Sequence, residues 1–79
     1  MKLTIVSPEK IVYDGMASSV AVPGTKGAFE VLDNHAPIIS SLQGGIITVR
    51  NDEGELQFAI RSGFIEVARN EASICAEME

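Results

Sequence analysis

Apolar residues alternate with polar or small ones through most of this chain, and this period of two is the strongest constraint on its fold. Leu56, Phe58 and Ile60 show the pattern most clearly, and it recurs in 46–50 and 63–68. A period of two gives a β-strand one face in a core, whereas an amphipathic helix needs a period near 3.6. The chain is therefore predicted to be all-β, a sandwich or flattened barrel of short strands. The predicted strands are 2–7, 11–14, 17–22, 28–32, 36–42, 46–50, 55–61, 63–68 and 72–78.

Turn-forming residues separate the predicted strands at short intervals. Ser7-Pro8 closes the first strand, because proline has no N–H to donate to a ladder. Asp14-Gly15 is expected to bend the second strand into two pieces. Asn51–Gly54 and Arg69–Glu71 have the composition of hairpin turns, so 46–50 is expected to pair with 55–61, and 63–68 with 72–78.

The length of the chain restricts it to one domain, 1–79. Seventy-nine residues supply one modest core, and a chain of that length buries only about 60% of its unfolded surface. Cys75 is the only cysteine, so no internal disulfide can form. The chain has no cluster of histidine and cysteine residues of the kind that binds a structural metal. Stability must come from the apolar core, aided by a partner where one is bound.

The charge distribution argues against nucleic-acid binding, and the lack of a long apolar run argues against direct membrane insertion. The formal net charge is −5, and the six basic residues are scattered instead of forming a stripe. No apolar run approaches the roughly 20 residues that a spanning helix needs. We expect a soluble, intracellular chain that works at a membrane only through another protein.

The residues offer no convincing catalytic or cofactor site. His35 is the only histidine, and no nucleophile signature surrounds Ser40 or Ser41. Cys75 lies in an apolar strand and is interpreted as a small hydrophobic residue. The Gly24–Gly27 segment lacks the Gly-Lys-Ser/Thr ending of a phosphate-binding loop. We therefore predict no enzyme, no cofactor and no metal.

A protein-binding surface is the function that these residues favour. Gly24 and Gly27 permit positive φ and close backbone approach, and Lys26 and Glu30 can make charged contacts. Pro37 restricts the preceding residue and so stiffens the corner after His35. Two alternatives stay open: a stand-alone β-sandwich module for a ligand or protein, and a small enzyme built around His35. Either a ligand module or an enzyme would need a pocket or cleft.

Three motifs, in this order and spacing, carry a resemblance to a known family. They are the opening strand Leu3–Glu9, the segment Pro23–Pro37 with its two glycines and His-Ala-Pro corner, and Ser62–Val67. From about Leu3 to Glu77 the chain resembles the epsilon subunit of F-type ATP synthase. The resemblance implies a ten-stranded flattened sandwich of two antiparallel sheets. Most members continue into a helical hairpin with inhibitory, sometimes ATP-sensing function, and no residues here correspond to it.

The resemblance also implies a role and two sets of contacts. Family members are non-catalytic rotor subunits of the central stalk, and they couple the gamma subunit to the membrane c-ring of a proton-translocating ATP synthase. A bacterial member would sit peripherally on the cytoplasmic side of the plasma membrane. The implied c-ring contacts are Thr25, Lys26, Gly27, Ala28, Phe29 and Glu30. The implied gamma contacts are Ser7, His35, Ala36, Ser40 and Leu42.

The chain departs from the family pattern in two places, at Ala28 with Glu30 and at Asp33-Asn34. Many relatives have an acidic residue where this chain has Ala28 and glycine where it has Glu30. Both positions fall in one predicted strand at a spacing of two, so we expect them to share a face. Relatives commonly have Pro-Gly where this chain has Asp33-Asn34, and asparagine tolerates the left-handed conformation that glycine adopts there.

Overall fold

Eight β-strands form the fold in the computed structural model, which describes all residues from Met1 to Glu79. None of its elements is a helix that could cross a membrane. The strands are β1 (Lys2–Val6), β2 (Ile11–Met16), β3 (Ser19–Val22), β4 (Phe29–Leu32), β5 (Ile38–Leu42), β6 (Gly45–Asn51), β7 (Gly54–Ala68) and β8 (Glu71–Met78).

Strand β7 is the centre of the topology because both parts of the fold share it. The order is β2-β1-β8-β7-β6-β3-β4, with β5 paired to β7 off that path. Residues 54–60 of β7 pair with β6, whereas the part from Ser62 onwards pairs with β8 on one edge and with β5 on the other. We call β4, β3, β6 and the first part of β7 the β3 layer. The second part of β7, with β5, β8, β1 and β2, is the β8 layer.

One core lies between these two layers. Its sixteen buried apolar residues come from both, for example Val20 and Ile47 from the β3 layer and Leu3 and Ile65 from the β8 layer. The alternation seen in the sequence sets which residues enter it: Ile65 is fully buried, whereas its neighbour Phe64 is exposed. The period of two thus correctly predicted an all-β sandwich with one buried face per strand.

The predicted detail of ten strands in two antiparallel sheets is not confirmed. The structure has eight strands in one hydrogen-bonded network, and its β1–β8 pair is parallel. The predicted strands 55–61 and 63–68 are one strand, because β7 passes from one layer to the other through a register shift between Ile60 and Ser62 and keeps its pairing. Such a bulge bends a strand without ending it.

The predicted break at Asp14-Gly15 is wrong. Both residues lie inside β2, where Gly15 pairs with Leu3 and Asp14 with Thr4 of β1. A continuous ladder to β1 therefore outweighs the local turn preference of Asp-Gly.

The predicted hairpin turns are confirmed. Asn51 ends β6, its side-chain oxygen accepts a hydrogen bond from the Glu53 N–H at 2.9 Å, and Gly54 begins β7 with a φ of 127°. Arg69 and Asn70 join β7 to β8 with φ values of 52° and 59°. Two successive residues of positive φ give the primed turn whose twist matches a two-residue hairpin.

Candidate partner-binding surfaces

The connection from β3 to β4, residues 23–28, is a tight turn that requires glycine at two positions. The Gly27 N–H donates to the Gly24 carbonyl at 3.0 Å. Gly27 has a φ of 130°, the positive φ that its residue type allows, and a Cβ added there would meet no atom within 4 Å. Gly24 is buried, and a Cβ added there would lie 2.6 Å from the Gly27 carbonyl oxygen. Gly27 is therefore required by its backbone conformation, and Gly24 by the lack of space for a side chain.

This glycine loop is joined to the end of β5. Gly24 forms an isolated antiparallel bridge with Leu42. Two backbone bonds flank it, from Thr25 N–H to the Ser41 carbonyl at 3.0 Å and from Gln43 N–H to the Pro23 carbonyl at 2.9 Å. The hydroxyl oxygens of Thr25 and Ser41 are 2.8 Å apart and share a further hydrogen bond. The loop therefore connects the β3 layer to the edge of the β8 layer.

Five of the six residues predicted as c-ring contacts are exposed. Phe29 is the exception: it is half-buried and packs against the core. Glu30 approaches Arg50, with 3.6 Å between Oε2 and Nη1, while Lys26 forms no ion pair. Strand β4 begins at Phe29, so Ala28 precedes it, and the expectation that both Ala28 and Glu30 lie in one strand is wrong. The exposed five are Thr25, Lys26, Gly27, Ala28 and Glu30.

The His35 corner follows β4 and leads into β5. Asn34 has a φ of 62°, the left-handed conformation expected of it, and its N–H donates to the Asn70 side-chain oxygen at 2.8 Å. The His35 N–H donates to the Leu32 carbonyl at 3.2 Å. The His35 Nδ1 lies 2.7 Å from the Ala36 carbonyl oxygen, so Nδ1 donates there. The corner is ordered by its own hydrogen bonds, and His35 stays half-exposed.

The residues predicted to contact gamma all belong to elements of the β8 layer or the loop entering it, but they differ in accessibility. Ser7, in the β1–β2 turn, is half-buried, and Ala36 is exposed. Ser40 is half-buried and pairs with the buried Ile65, so it faces the core side of β5. Leu42 is only 3% exposed and belongs to the core, so its predicted role as a surface contact is corrected: its side chain stabilises the fold.

An exposed apolar row on the outer face of the β8 layer was missed by the sequence reasoning. Cross-strand pairing aligns Ser41 with Phe64, Phe64 with Cys75, Cys75 with Val6, and Val6 with Ile11. Phe64 is 45% and Ile11 65% exposed. Cys75, interpreted from the sequence as a small hydrophobic residue, is also exposed. The alternation that places Ile65 inside also turns Phe64 outward, and that signal could have indicated this row.

The concavities of the surface are open grooves. The smaller, about 420 Å³, is lined by Ser7, Phe64 and Cys75 among others, so it adjoins the apolar row. The larger, about 720 Å³, lies at the opposite end of the fold between the β2–β3 and β6–β7 connections. His35 lines neither groove. The structure also shows no group of three or more His, Cys, Asp or Glu residues that could hold a metal. Neither of these two grooves is a cleft around the histidine.

Known proteins resemble this chain in sequence and in fold. An ATP synthase epsilon chain from Leptospira interrogans is 39% identical over 77 residues, which cover 98% of this chain and 61% of the relative. The chain thus spans about three fifths of that relative's length. Two solved structures share the fold. A chain of the Euglena gracilis mitochondrial ATP synthase assembly of OSCP, F1 and c-ring aligns with a TM-score of 0.86 and 22% identity, covering 94% of this chain and 48% of that one.

The second solved structure is the central stalk and c-ring of the Tetrahymena thermophila mitochondrial ATP synthase. One of its chains aligns with a TM-score of 0.81 and 18% identity, covering 98% of this chain and 63% of that one. Residues 1–78 match the family described as the ATP synthase Delta/Epsilon chain, β-sandwich domain. Because that match takes in nearly every residue, the chain belongs to the β-sandwich domain family of ATP synthase delta and epsilon chains.

Proposed function

We propose that this chain is a non-catalytic rotor subunit of a proton-translocating F-type ATP synthase and that it couples the gamma subunit to the c-ring. Family membership over residues 1–78 supports the assignment. So does the Leptospira relative's name, ATP synthase epsilon chain. Both fold relatives were solved in assemblies that contain a c-ring. The observation that carries the proposal is the presence of two different exposed surfaces on one small fold, the glycine loop and the apolar row of the β8 layer.

The proposed gamma-binding face is the outer side of the β8 layer together with the His35 corner. Ser7 lines the groove beside Phe64 and Cys75, while His35 and Ala36 lead into β5 of the same layer. An exposed apolar patch rimmed by polar residues is typical of a protein interface. Aromatic residues, phenylalanine among them, are enriched in protein interfaces relative to the rest of the surface. Ser40 and Leu42 point to the core side of β5, so they support this face from beneath.

The proposed c-ring contact is the glycine loop with its exposed polar groups. Thr25, Lys26 and Glu30 present a hydroxyl, an ammonium and a carboxylate, and the turn conformation of Gly27 leaves open space for a partner's loop. Such a surface suits the polar loops of a membrane ring, because charged and hydroxyl groups there can exchange water for partner contacts. Contact through these loops would make the chain peripheral, on the cytoplasmic side of a bacterial plasma membrane.

We further propose that residues 1–79, as one domain, make both contacts without a helical hairpin. The single core shared by the two layers supports this, since neither layer has a core of its own. The stand-alone ligand module remains the alternative, but the open grooves give it no specific support.

Binding to the cognate gamma subunit tests the proposal directly. Size-exclusion co-elution and calorimetry should give a tight one-to-one complex. Phe64→Glu should weaken that complex at least tenfold, because it buries a charge in an apolar contact. Ile46→Glu is the matched control, since Ile46 is 48% exposed on the outside of the other layer and should leave gamma affinity unchanged.

Two results would count against the proposal. If the folded wild-type chain does not bind gamma, the rotor assignment fails and the ligand module becomes the leading hypothesis. If gamma binds but Ile46→Glu weakens it and Phe64→Glu does not, the assigned face is the wrong one.

A further inference from the structure

The glycine loop and the end of β5 are joined by backbone contacts that lie outside the pairing of the eight strands. Strand β5 has a neighbour only on its β7 edge. Its other edge is met at its end by the Gly24–Leu42 bridge and the two backbone bonds that flank it. These bonds close a ring of strands in the order β5, β7, β6 and β3. Without them, the loop would extend from the β3–β4 hairpin with no attachment to the β8 layer.

A single side-chain contact reinforces this closure. The Ser41 hydroxyl lies 2.8 Å from the Thr25 hydroxyl, and the Ser41 carbonyl accepts the Thr25 N–H. Ser41 thus holds Thr25 by both backbone and side chain. Thr25 is the first exposed residue of the loop, so its position determines where Lys26 and Gly27 lie.

We propose that Ser41 is a positioning residue that fixes the glycine loop relative to the gamma-binding layer. The role of the loop as ring contact rests on the proposed function above. Ser41 is not among the residues predicted to contact the ring or gamma, although it lies beside Phe64 on the outer face of the β8 layer. It acts on the loop through Thr25. Its strand leads from the His35 corner to the bridge, so β5 connects the two proposed partner surfaces directly. A loop held at this point transmits force between ring and gamma with less bending than a hairpin that is free at its tip.

Amide hydrogen exchange of the chain alone is the first test. Ser41→Ala should raise the exchange rate of the Thr25 amide about fivefold, the size of effect that loss of one neutral hydrogen bond produces. Ser41→Thr keeps the hydroxyl and should restore protection. Exchange at Ile65 in the core reports global unfolding, so its change in each variant should match the change in stability measured by urea unfolding. Equal Thr25 protection in Ser41→Ala and wild type would overturn the proposal.

The second test is a double-mutant cycle on binding of the chain–gamma complex to detergent-solubilised c-ring. Thr25→Val and Ser41→Ala should each weaken ring binding about fivefold, and the double variant should be no weaker than either, because both remove the same bond. Independent, multiplicative losses would mean that the two side chains act separately, and the positioning role would be lost. If the wild-type complex does not bind the ring, the proposed function fails. The exchange experiment still tests whether Ser41 positions Thr25, because it uses the chain alone.

Discussion

Gly24→Ala is expected to destabilise the chain far more than its one added methyl group suggests. The new Cβ would lie 2.6 Å from the Gly27 carbonyl oxygen and 2.9 Å from a ring carbon of Phe29. Neither neighbour can yield without further loss. A shift of the Gly27 carbonyl distorts the turn, and a shift of the ring disturbs a side chain packed on the core.

The magnitude follows from these two consequences. Forcing a methyl group into a filled site costs about 1–3 kcal/mol, and each hydrogen bond lost from the bridge to β5 adds about 1 kcal/mol. We expect a loss of about 2–4 kcal/mol in the free energy of unfolding. A domain of this size has only about 4–12 kcal/mol in total. The midpoint of thermal unfolding should fall by about 10 °C or more.

Urea unfolding of Gly24→Ala beside Gly15→Ala measures this effect. Gly15 is the matched control because its added Cβ would meet nothing closer than 3.7 Å, an ordinary contact, and its φ is not positive. Gly15→Ala should leave stability unchanged or raise it slightly, through the reduced entropy of the unfolded chain. The reasoning is refuted if Gly24→Ala unfolds within about 0.5 kcal/mol of wild type, the range of ordinary surface substitutions.

Three further outcomes are expected. Cys75 should react with a maleimide reagent in the free chain, because its side chain is exposed, and should be protected in the gamma complex; equal labelling in both would remove it from the interface. His35→Trp should weaken gamma binding without lowering the thermal midpoint, since His35 is half-exposed in a loop; a matching loss of stability would make the residue structural. ATP up to sub-millimolar concentration should leave the NMR spectrum of the chain unchanged, and specific shifts would contradict the absence of a nucleotide site.

The sequence predicted those parts of the fold that depend on local conformation. Alternation identified nearly every strand, since the side of a strand that a residue occupies follows from its position. Positive φ was foreseen at Gly27 and Asn34, because few residue types adopt it. Turn chemistry likewise located the hairpins at Asn51–Gly54 and after Ala68. In each of these cases the residue and its immediate neighbours decide the outcome.

Features that depend on distant pairing were not predictable in the same way. Ser62-Gly63 has the composition of a break, yet β8 and β5 pair with that part of β7 on both edges and keep it extended. Alternation alone indicates that Phe64 faces outward, but its alignment with Cys75 and Val6 needed the register of several strands, which no single segment contains. Leu42 is different: it alternates in phase with Ile38 and Ser40, so its inward direction was already present in the sequence.

The parallel pairing of β1 with β8 affects how the chain can fold while it is being synthesised. Residues 2–6 are made before 71–75, the strand segment that forms their parallel ladder partner. Until that partner emerges from the ribosome, Leu3 and Ile5 have no strand on that edge, and the core they share with Ile74 stays open. Contacts between residues so far apart in sequence form late and slowly. Strand β1 must therefore wait until β8 has been made, and during that time its apolar side chains are exposed to chaperones that bind the nascent chain.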